Sequence, residues 1–188
     1  MAQMTTAQEV AQEEEDLEWS ARIADIVYAE DSPEDHVPAQ LMDGLFLGGL
    51  SEARRVDLLQ ELGVQAVVNM APESCRRDGH DSYENGFGIE VLKQDALDDW
   101  EYPLLEFHLD AVEEFLNRHR RAGHGVLVHC YAGVNRSAAI CAAYLIRTHR
   151  MHLTDAVKLL VEKRGKVLQN IHFINQLVAL ARKEDLLQ

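Results

Sequence analysis

His129-Cys130-Tyr131-Ala132-Gly133-Val134-Asn135-Arg136-Ser137 carries the chemistry of this chain. It follows the short apolar run Val126-Leu127-Val128 and precedes a strong helical pattern, so it reads as a loop between a strand and a helix N-terminus. A cysteine, five residues and an arginine in that position suit a small anion. Five residues let successive backbone N–H groups turn inward as a nest, and Gly133 permits a conformation that a Cβ would resist. The helix adds its positive end. Arg136 offers a planar fork that matches two phosphate oxygens, which a lysine does not reproduce. Cysteines at helix N-termini ionise more readily than a free thiol, so the loop that binds phosphate also prepares a nucleophile, Cys130. An isolated cysteine in such a place is usually a small core hydrophobe. Here five residue types recur at fixed offsets between the right elements, a coincidence on the order of one in 10⁵ by composition alone.

The elements that must hold this loop read as an alternation. Leu45-Phe46-Leu47 is a short strand ended by Gly48-Gly49, and Ser51 starts a helix that runs to Leu62 and stops at Gly63. Val64 to Met70 and Ile89 to Leu92 are further strands. Pro103 opens a helix whose apolar stripe is Leu104, Phe107, Leu109, Val112, Phe115 and Leu116. Helical patterns follow at 136–149, 154–164 and 170–186. The predicted class is α/β, with a short, largely parallel sheet flanked by helices and a helical C-terminal half.

Of the 188 residues, 47% are hydrophobic, enough for a core without disulfide or metal staples. The net charge is −14, and residues 1–35 carry −10 of it, with 11 acidic side chains against Arg22. An acidic chain lacking a basic stripe is a poor nucleic-acid binder. The apolar run Ser137 to Ile146 is too short to cross a bilayer, and the N-terminus shows neither a signal core nor a myristoylation glycine. Three cysteines without a CxxC pair suggest a reducing compartment, so the expected location is cytoplasmic and/or nuclear, with no membrane association. Residues 6–29 read as one helix with a Thr6/Glu9 capping box, folded onto the body through Trp19 and Ile23. Homodimerisation or partner docking through this helix is the alternative. Asp31 to Asp35 break the pattern, dividing an acidic extension (1–35) from the main domain (36–188).

His-Cys-x-x-Gly-x-x-Arg-Ser is similar to the active-site motif of the cysteine-dependent protein phosphatases, and residues 38–180 resemble the small dual-specificity phosphatases. Asp43 to Gly48 resembles that family's opening strand, Leu62-Gly63-Val64 through Asn69 its next strand, and Ala138 to Leu145 the helix behind its phosphate loop. The resemblance implies phosphoprotein substrates, a pocket for phosphotyrosine and phosphoserine/threonine, and no metal or cofactor. It implies Cys130 as nucleophile, Arg136 as phosphate clamp and Ser137 as the hydroxyl that helps the thiolate depart. Tyr131, Ala132, Gly133, Val134 and Asn135 would bind substrate, with His129 and Asn170 in support. The general acid/base it implies is Asp95, with Asp98 and Asp99 close behind and open as alternatives. Asn135 stands where serine is commoner, as in RNA 5′-triphosphatases of the superfamily, and the stretch 164–170 lacks the family's prolines. An RNA triphosphatase and a phosphate-binding pseudo-phosphatase adaptor are the competing readings.

Other features read plainly. Cys141 is a core residue of a helix. Cys75 reads as a loop cysteine whose thiol Arg76 and Arg77 would acidify. In some relatives a second cysteine pairs with the nucleophile, and Cys75 is the candidate here. His149 and His152 show no zinc spacing, and a positive His149 would complement a helix C-terminus.

Overall fold

The computed structural model describes residues 6–29, 37–77 and 88–188. Five strands form one sheet in the order β1-β2-β5-β3-β4: β1 (Ala39–Met42), β2 (Leu45–Gly48), β3 (Val64–Asn69), β4 (Glu90–Lys93) and β5 (Gly125–His129). The strands β2, β5, β3 and β4 run parallel, and β1 closes one edge antiparallel to β2. Eight helices surround the sheet among the described residues: α1 (Thr6–Tyr28), α2 (Leu50–Ala53), α3 (Val56–Glu61), α4 (Pro72–Arg77), α5 (Leu104–Arg121), α6 (Arg136–His149), α7 (Leu153–Arg164) and α8 (Ile171–Lys183). The α/β class and the helical C-terminal half are as the sequence predicts. No helix among the described residues is long and apolar enough to cross a membrane.

Strand alternation sorts the core into two layers. Phe46, Val67 and Leu127 point to one face and pack with Ala53, Val56 and Leu59 of α2 and α3. Leu45, Leu47, Ala66, Val68, Val126 and Val128 point to the other, beneath α5 to α8. Cys130 continues the parity of Val126 and Val128 and belongs to that larger core, so it leaves the central strand on the side that α6 covers. The register sets Leu127 between Phe46 and Val67, making β5 the most enclosed strand. A loop at its C-terminal end therefore starts from the most constrained backbone in the molecule.

Several local expectations change. The helix expected from Ser51 to Leu62 is two, because Arg55 leaves the helical region (φ −85°, ψ 71°). The break lets Ala53, Val56 and Leu59 all reach the sheet. The strand β1 was not anticipated. Asp43-Gly44 makes its hairpin, with Gly44 at φ +71°, a turn the sequence signals by that dipeptide. Phe107, expected in the α5 stripe, is 60% exposed and meets Tyr102 edge-on at 5.8 Å.

Cys75 is no loop cysteine. Pro72 starts α4, and Cys75 is buried on it. Burial pushes its thiol up to about 11, opposite to the expected effect of Arg76 and Arg77. Both arginines pair instead with Glu73. Cys141 is fully buried on α6. Burial and the adjacent Arg120 push His149 below its ordinary value, so it accepts from Arg120 Nη1 (2.8 Å) rather than carrying charge to the helix end.

The helix α1 lies against α7 and α8. Ile23 and Val27 are buried in the main core, Trp19 packs at its margin, and Arg182 bridges Asp16 (2.7 Å) and Glu15 (3.0 Å). The boundary expected at 31–35 lies outside the described residues.

Candidate active site

The segment from Cys130 to Asn135 wraps one end of a pocket of about 350 Å³ at the C-terminal ends of the parallel strands. Such ends are where open α/β sheets place ligands. Cys130 is 1% exposed, with its Sγ facing two donors. The Gly133 N–H lies 3.3 Å from the sulfur. The Ser137 hydroxyl lies 3.3 Å from the sulfur and 3.4 Å from the Gly48 carbonyl oxygen. Gly133 is needed twice over. Its φ is +73°, and a Cβ there would lie 2.6 Å from the Gly48 carbonyl carbon.

Arg136 opens α6 and is nearly buried. Its Nη1 donates to the Ala96 carbonyl (3.1 Å), which sets the plane of the guanidinium. Its buried Nε has no hydrogen-bond partner among the described residues and lies 3.8 Å from Asp98 Oδ2. A buried donor left in that state costs free energy until an oxyanion reaches it. His129 is fully buried, and its Nδ1–H donates to the Cys130 carbonyl (3.0 Å). Burial pushes its pKa down to about 4, so it supports the loop as a neutral ring.

The loop is stitched to its neighbours by main-chain bonds. Leu50 N–H donates to Tyr131 O (2.9 Å) and Leu168 N–H to Val134 O (2.8 Å). Asn170 caps α8 by accepting from His172 N–H (3.1 Å), and its own N–H donates to Asn135 Oδ1 (3.2 Å). Its Nδ2 reaches Asp98 Oδ1 (3.2 Å), and Asn135 Nδ2 donates to the same carboxylate (3.1 and 3.2 Å). Hydrogen bonds do here what flanking prolines would do by restricting φ.

Of the three aspartates, only Asp98 lines the pocket, together with Cys130, Arg136 and Asn135. Asp95 lies on the other side of the loop after β4, its carbonyl accepting from Tyr102 (3.4 Å) and its charge felt by His108. Asp99 accepts from the Trp100 N–H (2.6 Å). The loop crosses Arg136 at Ala96, which carries the next carboxylate, not the preceding one, over the pocket.

The sequence reading passed over four further residues. Lys166 and Gln169, from the connection between α7 and α8, also line the pocket. Glu52 and Arg164 sit behind the loop. Glu52 Oε2 accepts from Gly49 N–H (2.9 Å) and Ser51 Oγ (2.7 Å), and Oε1 from Arg164 Nη1 (2.5 Å). Burial opposes its charge, yet the Ser51 hydroxyl and the Arg164 guanidinium hold the carboxyl below its ordinary value. Only a charge within helical reach would have flagged this pair, and they stand 112 positions apart.

The family profile described as "Dual specificity phosphatase, catalytic domain" matches residues 45–183, well over half of the chain. The chain belongs to the dual-specificity phosphatase family. Within that family it is 32% identical over 142 residues to dual specificity protein phosphatase 1 of Mus musculus, covering 75% of this chain and 36% of that protein. Dual specificity protein phosphatase 2 of Mus musculus is 32% identical over 144 residues, which is 76% of this chain and 42% of that one. The chain thus spans well under half the length of these curated relatives. Among solved dual-specificity phosphatase structures, human DUSP28 superposes with a TM-score of 0.72 at 27% identity, over 82% of this chain and 99% of that one. The sheet, the loop after β5 and the helices behind it are thus this family's fold on both sequence and structural grounds.

Proposed function

We propose that this chain is a protein phosphatase that hydrolyses phosphotyrosine and phosphoserine/threonine through a phosphocysteine intermediate. The observation that carries this reading is one pocket lined by Cys130, Arg136 and Asp98, with the Gly133 N–H and the Ser137 hydroxyl directed at Sγ. The two donors at the sulfur orient it toward the pocket, and the loop amides with Arg136 complement the equatorial oxygens of a phosphoryl group.

In the first step the Cys130 thiolate attacks phosphorus. The S–P bond forms as the P–O bond to the substrate breaks, and the leaving oxygen takes a proton from the acid. Position supports Asp98 rather than Asp95 in that role. In the second step the Asp98 carboxylate accepts a proton from water as its oxygen attacks phosphorus. The S–P bond breaks, the pair returns to sulfur, and Ser137 donates to the departing thiolate. No step calls for a metal or cofactor.

Turnover of a phosphotyrosine peptide, a phosphothreonine peptide and a triphosphate-ended RNA, each beside Cys130→Ser, tests the reading. We expect both peptides to be hydrolysed, the RNA not, and Cys130→Ser to be inert. Hydrolysis of the RNA alone would mean a triphosphatase. Tight peptide binding without turnover by the wild-type chain would mean an adaptor. Among the described residues, Arg136 and Lys166 alone bring basic charge to the pocket lining, which suits one phosphate better than three.

A reactive thiol suits a reducing compartment, in keeping with the cytoplasm and/or nucleus. Val10 and Leu17, seven residues apart on α1 and exposed, support homodimerisation through that helix; sizing beside Val10→Glu/Leu17→Glu tests it, and an unchanged size ends the idea.

A further inference from the structure

Next to the pocket of Cys130 lies a second hollow of about 470 Å³. Asp98, Asn135 and Gln169 line both, so the two are contiguous. Its remaining lining is Tyr28 from the end of α1, Trp100 from the loop after β4, and Asn170 and Ile171 at the start of α8. Tyr28 stands outside the residues that the family profile matches, 45–183.

The accessible surface of this hollow is mixed, more polar than apolar, and its polar groups are largely those of side-chain amides. Its amides are engaged within the protein: Asn135 Nδ2 and Asn170 Nδ2 on Asp98, Asn135 Oδ1 on Asn170 N–H, Asn170 Oδ1 on His172 N–H, and Gln169 Nε2 on Val167 O. The Asp98 carboxylate is likewise taken up by those amides. Beside these amides the hollow exposes two aromatic rings. Trp100 is 67% exposed and Tyr28 59% exposed, so both rings present free surface to the hollow. Both are held in place. The Tyr28 hydroxyl reaches the Gln169 carbonyl (3.4 Å), its neighbour Val27 is buried in the core, and the Trp100 ring rests tilted on His172 at 4.8 Å. Two positioned aromatic rings beside amides that already hydrogen-bond within the protein form a site for a large apolar side chain. A cation is poorly served, since Asp98, the one carboxylate among the described lining residues, is already bonded and is proposed above to carry the catalytic proton.

We infer that this hollow receives a large apolar side chain of the polypeptide substrate, within two residues of the phosphorylated one, and that Tyr28 and Trp100 are specificity-determining residues. The inference rests on the phosphatase reading above. An extended peptide advances roughly 3.4 Å per residue, so a chain whose phosphate meets Arg136 passes over the contiguous hollow within two residues. By this route the N-terminal helix takes part in choosing the substrate.

The test compares phosphotyrosine peptides bearing Phe, Ala, Lys or Glu at each of the two positions on either side, with p-nitrophenyl phosphate as a substrate that lacks flanks. At one of these positions the Phe peptide should exceed the Ala peptide about 10-fold in kcat/KM, mainly through KM. Trp100→Ala and Tyr28→Ala should each remove most of that ratio and leave p-nitrophenyl phosphate turnover unchanged. The same Phe-to-Ala ratio is read as affinity on Cys130→Ser, so the inference is tested even without turnover. Equal rates and affinities for Phe and Ala at every position, or a ratio untouched by both variants, overturns the inference and leaves the phosphatase reading standing. A preference for Lys overturns it too. No turnover of any phosphoester, with the Phe preference kept in binding, counts against the phosphatase reading alone.

Discussion

Arg164 Nη1 donates to the buried Glu52 carboxylate at 2.5 Å, and its Nη2 lies 3.4 Å from the Ala132 carbonyl of the loop that encloses the candidate nucleophile. The last turn of α7 is thereby tied to α2 across the back of the phosphate loop. The same guanidinium fills the space that a Cβ on Gly133 would enter, at 2.7 Å. Charge and shape act together here to hold the loop open.

Arg164→Met should destabilise the protein by about 3–5 kcal/mol, because it leaves the Glu52 charge buried without its partner. Urea unfolding measures this. Arg164→Met/Glu52→Leu should recover most of the loss, since removing both charges removes the desolvation cost. If the double variant is no more stable than the single one, the pair is not what holds this region.

Asp98→Asn should lower kcat on a phosphothreonine peptide about 10²–10⁴-fold, the range for loss of a general acid. The effect on p-nitrophenyl phosphate should be smaller, because that leaving group departs without a proton. Asp95→Asn should stay close to wild type on both. The reverse pattern would assign the proton to Asp95.

Ser137→Ala removes the hydroxyl 3.3 Å from Cys130 Sγ and should slow breakdown of the phosphocysteine more than its formation. One hydrogen bond to a charged group is worth roughly 1.5–3 kcal/mol, or about 10–100-fold. The signature is a burst of product followed by a slower steady rate in rapid-mixing kinetics. A uniform fall in both phases would place the hydroxyl in the first step instead.

Burial pushes the His129 pKa from 6.5 to about 4, so the unfolded chain binds a proton there that the folded chain refuses. The stability contributed by neutral His129 is complete above pH 6.5, falls as the pH drops from there to about 4, and is lost below that. The whole difference is on the order of 3 kcal/mol. Unfolding free energies between pH 7 and pH 4 should therefore decline with falling pH, and the slope should be shallower in His129→Gln. An equal slope in the two proteins would mean that other groups set the acid limb.

The strands β2, β3, β4 and β5 were legible as apolar runs between turn signals, and the helices α1, α5, α6, α7 and α8 because each spans enough residues for apolar periodicity to show. What escaped is irregular or short. The strand β1 reads Ala39-Gln40-Leu41-Met42 without a β-branched or aromatic residue, α4 is a six-residue helix introduced by a proline, and Arg55 breaks a helix without a glycine or proline to announce it. Cys75 was misplaced for the same reason. Its neighbours in sequence, Arg76 and Arg77, turn outward to Glu73, while its own side chain turns into the core.

The phosphate loop was readable from sequence alone because every part of it, nucleophile, glycine, arginine and helix start, lies within nine consecutive residues whose geometry is set by local backbone rules. Groups contributed from a distance were not. Asp98 rather than Asp95 faces the pocket because Ala96, between them, is held by Arg136, forty positions further along. Glu52 reaches Arg164, and Tyr28 reaches the hollow beside the site, only after the sheet has closed and α1 has packed on α8. Local spacing encodes which atoms a short segment can present, whereas the approach of separate segments is decided by the packing of the whole core, and one-dimensional order does not contain that approach.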